Sequence, residues 1–317
     1  MMIDARRAVR NALAHFEPGD RILLAVSGGA DSLLLAAATN LEASKVGIQL
    51  NALVVDHQLQ NGSGAQAEKV EKQLKEMGYG KVLTQKVVVT TESGLEAGAR
   101  DARYQALSAC AAQEKAAKVF LGHTRDDQAE TVLLGLARGS GTRSLSGMAM
   151  ENGIYIRPLL HITRAQTVSA CKELGIDAWN DPHNGNTEFS RVRVRTEVLP
   201  LMEEKLGPGI SAALARSASI LRDDADALDE IAQSEISTSD LTNLDCEHLS
   251  SLARAIRSRV LRAALYAAGA PSGSITAEHL AAVEALVTSW RGQGEVSLPG
   301  GVKVERISGR LSLLAQP

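Results

Sequence analysis

The chain has 317 residues, enough for one large domain or two ordinary ones, and 44% of them are hydrophobic, which excludes wholesale disorder. Aromatic residues make up only 3%, so a core must rest on Leu, Val, Ile and Ala. A formal charge of −3 leaves nucleic-acid binding open, because affinity for phosphates depends on where Lys and Arg cluster and not on their sum.

The three cysteines, Cys110, Cys171 and Cys246, are far apart and form no CxxC pair. That spacing argues against a zinc site and against a cysteine-rich secreted scaffold. The N-terminus turns polar at Asp4-Ala5-Arg6-Arg7 before any long apolar run, so no signal peptide is expected. No apolar run approaches the length needed to span a bilayer, and the expectation is a soluble cytoplasmic protein with no membrane partner.

In chain order, short apolar runs at Arg21–Ser27, Ile48–Val55, Val82–Val89 and Lys118–Gly122 predict strands. Helical patterns lie between and after them, at Asp31–Ser44, Ala65–Met77, Leu95–Lys115 and Asp127–Arg138. Parallel strands need long crossovers, so this alternation predicts an α/β fold with a doubly wound parallel sheet. A further strand is expected at Ile154–Arg157 and a helix at Arg164–Leu174, stopped by Gly175. A domain boundary is expected at Leu206-Gly207-Pro208-Gly209, giving domains of residues 1–206 and 207–317. The smaller domain reads as helices at Ile210–Ser234, Ser250–Ala268 and Thr276–Thr288, followed by a β-meander over Glu295–Leu314.

Ser27-Gly28-Gly29-Ala30-Asp31-Ser32 follows the first strand and opens a helix. Two adjacent glycines remove the Cβ atoms that would hold an anion off the backbone, and the helix start adds partial positive charge. The hydroxyls of Ser27 and Ser32 can donate to phosphate oxygens. Asp31 would repel a bound phosphate unless a divalent cation lay between them, which points to Mg²⁺. Neither the Walker loop nor GxGxxG fits. The plainer reading is a strand–turn–helix corner capped by Ser and Asp.

The hexapeptide resembles the signature of the PP-loop ATP-pyrophosphatases, adenine-nucleotide alpha hydrolase-like proteins that cleave ATP to AMP and pyrophosphate. Further segments resemble one branch of them, the lysidine synthases. Val54-Val55-Asp56-His57 ends the second strand, at the edge where doubly wound sheets bind ligands, and is similar to a VDH element of that branch; the family continues Gly-Leu-Arg where this chain has Gln58-Leu59-Gln60. Glu96 to Tyr104 is similar to its E-x-x-A-R-x-x-R-Y stretch and sets Arg100, Arg103 and Tyr104 on one helix face. The alternative there is a solvated basic face paired with Glu96 and Asp101. Gly98 weakens this helix by about 1 kcal/mol relative to Ala, with no reason visible in the sequence.

His123 to Thr131 is similar to the family's H-x-x-D-D-Q-x-E-T, and Arg138-Gly139-Ser140-Gly141 to its R-G-S/T-G. Asp127 and Glu130 share a helix face, while Thr124 with Asp127 has the form of a capping box, a role compatible with catalysis. Arg157-Pro158-Leu159-Leu160 is similar to R-P-L-L, and Asp181-Pro182-His183-Asn184 to D-x-x-N. Arg191, Arg193 and Arg195 resemble R-N-x-I-R, with Val192 in place of Asn. By pattern they read as a β edge; the family places them at a helix start, where Arg191 and Arg195 share a face. Either arrangement makes a basic patch suited to RNA phosphates, unless it is merely a solvated charged face.

The resemblance implies ATP and Mg²⁺ as cofactors, with ATP held by Ser27, Gly28, Gly29, Ala30, Asp31, Ser32, Asp56, His57, Arg100 and His123. It implies Asp31 and Asp127 as metal ligands, and Asp31, Arg103, Asp127 and Glu130 as catalytic. Arg191, Arg193 and Arg195 would meet tRNA. The implied partners are a tRNA(Ile) with a CAU anticodon and free L-lysine, with a homodimer left open. The C-terminal domain is expected to touch tRNA. Gly139–Gly147 is a candidate to close over the target base. A rival tRNA 2-thiolase would need paired cysteines, which are absent; a non-catalytic adenine-nucleotide-binding module would have no need of Asp31, Asp127 and Glu130 together.

Overall fold

The computed structural model of the chain describes residues 1–58, 62–90, 94–139, 141–181 and 185–315. Leu59 and Gln60, Ser140, and Pro182-His183-Asn184 of the expected motifs lie outside the described residues.

The first compact unit, Met1–Arg222, runs in this order: α1 (Met2–Leu13), β1 (Arg21–Ala25), α2 (Ala30–Ala43), β2 (Gln49–Asp56), α3 (Ser63–Glu76), β3 (Lys81–Lys86), α4 (Leu95–Gln113) and β4 (Lys118–Leu121). It continues through α5 (Arg125–Ala137), α6 (Thr142–Leu145), β5 (Glu151–Asn152), β6 (Tyr155–Ile156), α7 (Arg164–Glu173), α8 (Ser190–Arg193) and α9 (Leu199–Leu206). The sheet order is β3-β2-β1-β4-β6-β5, parallel except for the β5–β6 pair. The expected doubly wound α/β architecture is therefore present.

Strand β1 is buried on both faces because successive side chains point opposite ways. Ile22 and Leu24 pack with Leu34 and Ala38 of α2 and with Val9 of α1, whereas Leu23 and Ala25 pack with Leu107 and Ala111 of α4. The chain steps outward from β1 to β2 and β3, then returns to pair β4 on the other side of β1. That reversal opens a crevice beyond the carboxyl ends of β1 and β4, where doubly wound sheets bind ligands.

Two expected strands are shorter than their apolar runs. The strand begun at Lys81 ends at Lys86, and the strand within Ile154–Arg157 covers only Tyr155–Ile156, paired to a two-residue β5 that the sequence does not announce. Arg191 to Arg195 are helical: α8 passes into a π-helical stretch, Val194–Val198. The β-edge alternative is thus corrected, because Arg191 and Arg195 find acidic partners only when they share a helix face.

The second compact unit is Asp223–Pro317. The helix α10 (Ile210–Thr238) supplies residues to both units, so the units part at Arg222 and Asp223 where the sequence suggested 206 and 207. Arg222, the last residue of the first unit, donates to the carbonyls of Ser146 and Gly147 at 2.7 Å, so the first half of α10 packs within that unit. The second unit then holds β7 (Asn243–Asp245), α11 (Cys246–Ser251), α12 (Arg254–Ala267), α13 (Ala277–Thr288), β8 (Val296–Ser297), β9 (Val302–Ile307) and β10 (Arg310–Ala315). The predicted meander is β8–β9–β10, and β7 adds a fourth strand in the order β7-β10-β9-β8. Its core contains Val260, Leu261, Leu265, Val283, Leu286, Val302, Val304 and Leu311. Within it Arg257 and Glu284 form a buried ion pair at 2.8 and 3.0 Å. Among the described residues no helix is long and apolar enough to cross a membrane.

Candidate active site

The loop between β1 and α2 has the shape its sequence demands. Gly28 sits at φ +86°, and a Cβ there would stand 2.5 Å from Val70 Cγ2 of α3, so both the backbone and the packing require glycine. Gly29 caps α2 in an extended conformation. The Ser27 N–H donates to Ser32 Oγ at 3.2 Å, and Ser32 Oγ donates to the Gly29 carbonyl at 2.9 Å. Gly122, just past β4, lets the start of α2 approach: a Cβ on it would be 3.0 Å from Ser32 N. The Trp179 N–H donates to the Gly28 carbonyl at 2.9 Å, bringing a distant segment against the loop.

Asp31 and Asp127 come from the starts of α2 and α5. Asp127 Oδ2 accepts the backbone N–H of Thr124 at 2.8 Å and its hydroxyl at 2.9 Å, so the predicted cap is real. Asp127 Oδ1 is left for the cleft, where it meets Arg164 Nη2 at 3.0 Å and Arg195 Nη2 at 3.5 Å. Asp31 Oδ1 accepts the Thr167 hydroxyl, and its Oδ2 lies 3.4 Å from Arg164 Nε. Burial raises the Asp31 carboxyl above its ordinary value, with Arg164 and the Thr167 hydroxyl working against that. At Asp127 burial also pushes upward, but Arg164, His123 and the Thr124 hydrogen bonds together outweigh it and leave the carboxyl lowered.

Glu130, one turn along α5, has no exposed surface. Arg195 grips it with two hydrogen bonds, Nε to Oε1 at 2.6 Å and Nη2 to Oε2 at 3.0 Å. Arg191 Nε stands 3.9 Å from Glu130 and 3.8 Å from Glu96. Burial raises the Glu130 carboxyl despite the Arg195 clamp. His123 is pushed down to about 3, first by burial and then by the Arg103 charge, and its Nδ1 is buried without a hydrogen-bond partner. It is therefore a neutral imidazole at physiological pH.

A cleft of about 860 Å³ gathers Ser27, Gly29, Ala30, Asp31, Ser32, Arg103, His123, Asp127, Arg191 and Arg195. Gly28 lies in the loop itself. Asp56 and His57 line a separate, smaller cavity that shares Ser27 and Trp179 with the cleft. There Asp56 Oδ1 accepts the Gln58 N–H at 2.9 Å, while His57 Nδ1 is buried without a hydrogen-bond partner. Glu130 sits behind Arg195. Arg100 is exposed and stacks on Tyr104, its guanidinium carbon 4.9 Å from the ring centre. Arg193 is exposed and donates to the Thr187 and Glu188 carbonyls, away from Arg191 and Arg195. The three arginines are thus not one patch: two enter the cleft and one braces its own loop.

Arg164, Thr167 and Trp179 were not among the residues singled out from the sequence. They belong to no motif, and only the packing of α7 and the segment after it brings them to the loop. Of the stretch Gly139–Gly147, residues 142–147 are held more firmly than their glycine suggests. Thr142–Leu145 is helical, and Gln128 clamps Met148 by donating to its carbonyl at 3.0 Å and accepting its N–H at 2.7 Å. A Cβ on Gly147 would press on that same Gln128 amide. Tyr104, finally, meets Tyr155 edge to face, which fixes the part of α4 that carries Arg103.

The donor set of Asp31 and Asp127 suits a hard cation. Mg²⁺ takes one or two carboxylates and completes its shell with phosphate and water, so the absence of any cluster of three ligating side chains among the described residues is no obstacle. A guanidinium already bridges the two carboxylates, which shows that the pair accepts a cation between them.

A glycine loop running from a central parallel strand into a helix, at the switch point of the sheet, is a phosphate-binding arrangement, and with the sequence Ser27–Ser32 it is that of a PP-loop nucleotide-binding domain. Residues 2–202 match the family model of that name, described as a PP-loop domain, and residues 244–312 match a TilS substrate binding domain. The chain is 49% identical to a tRNA(Ile)-lysidine synthase of Thermobifida fusca, over 98% of this chain and 96% of that protein. It is 50% identical to the tRNA(Ile)-lysidine synthase of Streptomyces coelicolor, over 92% and 84%. The chain belongs to the tRNA(Ile)-lysidine synthase family. A solved structure described as the U34-tRNA thiolase NcsA from Methanococcus maripaludis with its [4Fe-4S] cluster aligns with a TM-score of 0.59 at 18% identity, over 69% of this chain and 79% of that one, and attests the fold alone. The three cysteines described here are free and buried.

Proposed function

We propose that this chain is a carbon–nitrogen ligase that converts the wobble cytidine of a CAU-anticodon tRNA(Ile) to lysidine, consuming ATP and free L-lysine. The observation that carries this reading is the convergence of the PP-loop, Asp31, Asp127 and Arg103 on one cleft, in a chain that also bears a substrate binding domain of the family. ATP lies with its phosphates along Ser27–Ser32 and its nucleoside toward Asp56, His57 and Trp179. The 2-oxo oxygen of the cytosine attacks the α-phosphorus and releases pyrophosphate. The ε-amine of lysine then attacks C2, the ring carbon that bears the adenylated oxygen, and the C2–O bond breaks so that AMP leaves with the oxygen.

Asp31 and Asp127 would hold a Mg²⁺ ion, which when bound neutralises phosphate charge. Arg103, rooted in α4 and aimed into the cleft, meets the α-phosphate and the charge that develops there. Neutral His123 can accept or donate one hydrogen bond without adding charge. Glu130, raised by burial, is a better proton acceptor than an ordinary carboxylate and takes the lysine proton once Arg195 moves off it, while the lowered Asp127 stays charged and attracts the ammonium. Arg191 and Arg195 border the same cleft, where an anticodon nucleotide drawn out of its stack would enter. Both tRNA and free lysine fit a cytoplasmic setting.

The test is incubation with ATP, Mg²⁺, labelled lysine and tRNA(Ile) bearing CAU. Lysine incorporation is expected, with AMP and pyrophosphate released in step. AMP release with another acceptor and no lysine incorporated would overturn the assignment. Asp31→Asn should abolish tRNA-dependent pyrophosphate release; full activity in that variant would remove its role at the cation.

A further inference from the structure

Arg164 holds a position that the reaction as described does not use. It opens α7, where Thr163 and Gln166 form a capping box and the Arg164 N–H donates to Asp126 Oδ2 at 2.8 Å. The root of the side chain is therefore fixed against α5. Its head is not: the side chain is 30% exposed, and Nε is without a hydrogen bond although it lies 3.4 Å from Asp31 Oδ2. Only Nη2 donates well, to Asp127 Oδ1 at 3.0 Å. A long stem on a fixed root, with its head held mainly by charge, can swing.

Both atoms that Arg164 faces, Asp31 Oδ2 and Asp127 Oδ1, are the atoms these carboxylates turn toward the cleft; their other oxygens are engaged by Thr167 and Thr124. A guanidinium and a divalent cation cannot occupy that position together. Arg164 also lines the same cleft as Ser27–Ser32, so a displaced head remains within a site built for phosphate.

We propose that Arg164 is the resident counter-cation of the Asp31–Asp127 pair, exchanged for the divalent cation when nucleotide binds. The inference rests on the reading of Asp31 and Asp127 as cation ligands. Without nucleotide, an incoming cation must evict Arg164 and leave it with no anion. With nucleotide present, the evicted guanidinium meets phosphate oxygens, so the cost is recovered. Cation binding thereby becomes conditional on nucleotide, and by reciprocity nucleotide binding on the cation. Arg195, 3.5 Å from Asp127 Oδ1, does not duplicate this role, because its main partner is Glu130.

The experiment uses Mn²⁺ as a spectroscopic probe of the divalent site, titrated into the full-length protein with and without a non-hydrolysable ATP analogue. Wild type is expected to bind Mn²⁺ weakly alone and tightly with the analogue. Arg164→Gln should bind nucleotide-free Mn²⁺ at least about tenfold more tightly, the scale of losing one charge-assisted hydrogen bond from the competitor. Arg164→Lys, which keeps the charge, should stay near wild type. Adding Asp31→Asn to Arg164→Gln should remove the gain. If Arg164→Gln is less stable, Mn²⁺ should raise its melting temperature more than that of wild type. General damage to the fold would not tighten metal binding. Unchanged or weaker nucleotide-free Mn²⁺ affinity in Arg164→Gln overturns the inference. If analogue-dependent Mn²⁺ binding in wild type still depends on Asp31 in that case, only the role of Arg164 falls. If that binding is indifferent to Asp31, the ligand reading falls with it.

Discussion

Replacing Gly98 with Ala sets two forces of opposite sign against each other. Gly98 is inside α4, where alanine would favour the helix by about 1 kcal/mol. The fold opposes this: a Cβ at Gly98 would overlap the carbonyl oxygen of Thr90 and stand 3.0 Å from its carbonyl carbon. The obstacle is backbone, so it cannot rotate away as a side chain would. Overpacking costs roughly 1–3 kcal/mol, and a backbone clash belongs at the upper end. The net expectation is a loss of about 1–2 kcal/mol after the propensity gain is subtracted. Urea unfolding measures it best in a Trp290→Phe background, because of the two tryptophans only Trp179 then reports, and it sits in the first unit. The start of α4 must also shift, carrying Arg103, so KM for ATP should rise. A Gly98→Ala protein that is more stable, with KM unchanged, would refute the reasoning.

Three further outcomes are expected. Arg195→Ala leaves Glu130 buried with Arg191 no closer than 3.9 Å, and should cost roughly 3–5 kcal/mol of stability; the double change Arg195→Met with Glu130→Leu should restore most of that while lysine incorporation stays lost, and recovered incorporation would exclude the pair from the chemistry. His123 and His57 are both depressed below 6.5 by burial and then by Arg103. The unfolded chain therefore takes up their protons first, and the stability they contribute is present above pH 6.5 and lost as pH falls, for His123 toward about 3. His123→Gln should flatten the decline in ligand-free stability between pH 6.5 and about 4.5, above the range of ordinary carboxylates; an unchanged slope in urea midpoints would contradict this. Arg257→Ala leaves the buried Glu284 with Arg254, whose Nε lies 3.2 Å from Oε2, and should destabilise the second unit by roughly 1.5–3 kcal/mol, read from Trp290 fluorescence, and an unshifted transition would deny the Arg257–Glu284 pair a structural role.

What the sequence made legible was local. The loop at Ser27–Ser32 carries its own strand, glycines and helix start, and the capping box of Thr124 and Asp127 is written within four residues. The parallel sheet followed from strands separated by helix-length crossovers. Arg164 and Thr167 were illegible because their meaning depends on α7 lying against α2, more than a hundred residues away in the chain. Alternating Arg191, Arg193 and Arg195 offered two periods at once, and only the buried acid on α5 selects the helical one. Gly98 had no local explanation either, since the atom that forbids a side chain belongs to the exit from β3. The short β7 was hidden because its pairing with β10 joins residues far apart in sequence.

Asp127 divides its labour between its two oxygens, one bound to Thr124 and the other turned to the cleft, where Arg164 meets it. An acid fixed in this way can lend a metal a single atom along one bearing, and cannot open into a two-toothed grip. Small ions with strict octahedral demands tolerate such a ligand, while larger ions that gather six to eight oxygens prefer acids able to chelate and adjust. Were Asp127 to hold the proposed cation, the hydrogen bonds that begin α5 would act as a sieve on ionic radius, the stiffness of a helix start favouring small octahedral ions.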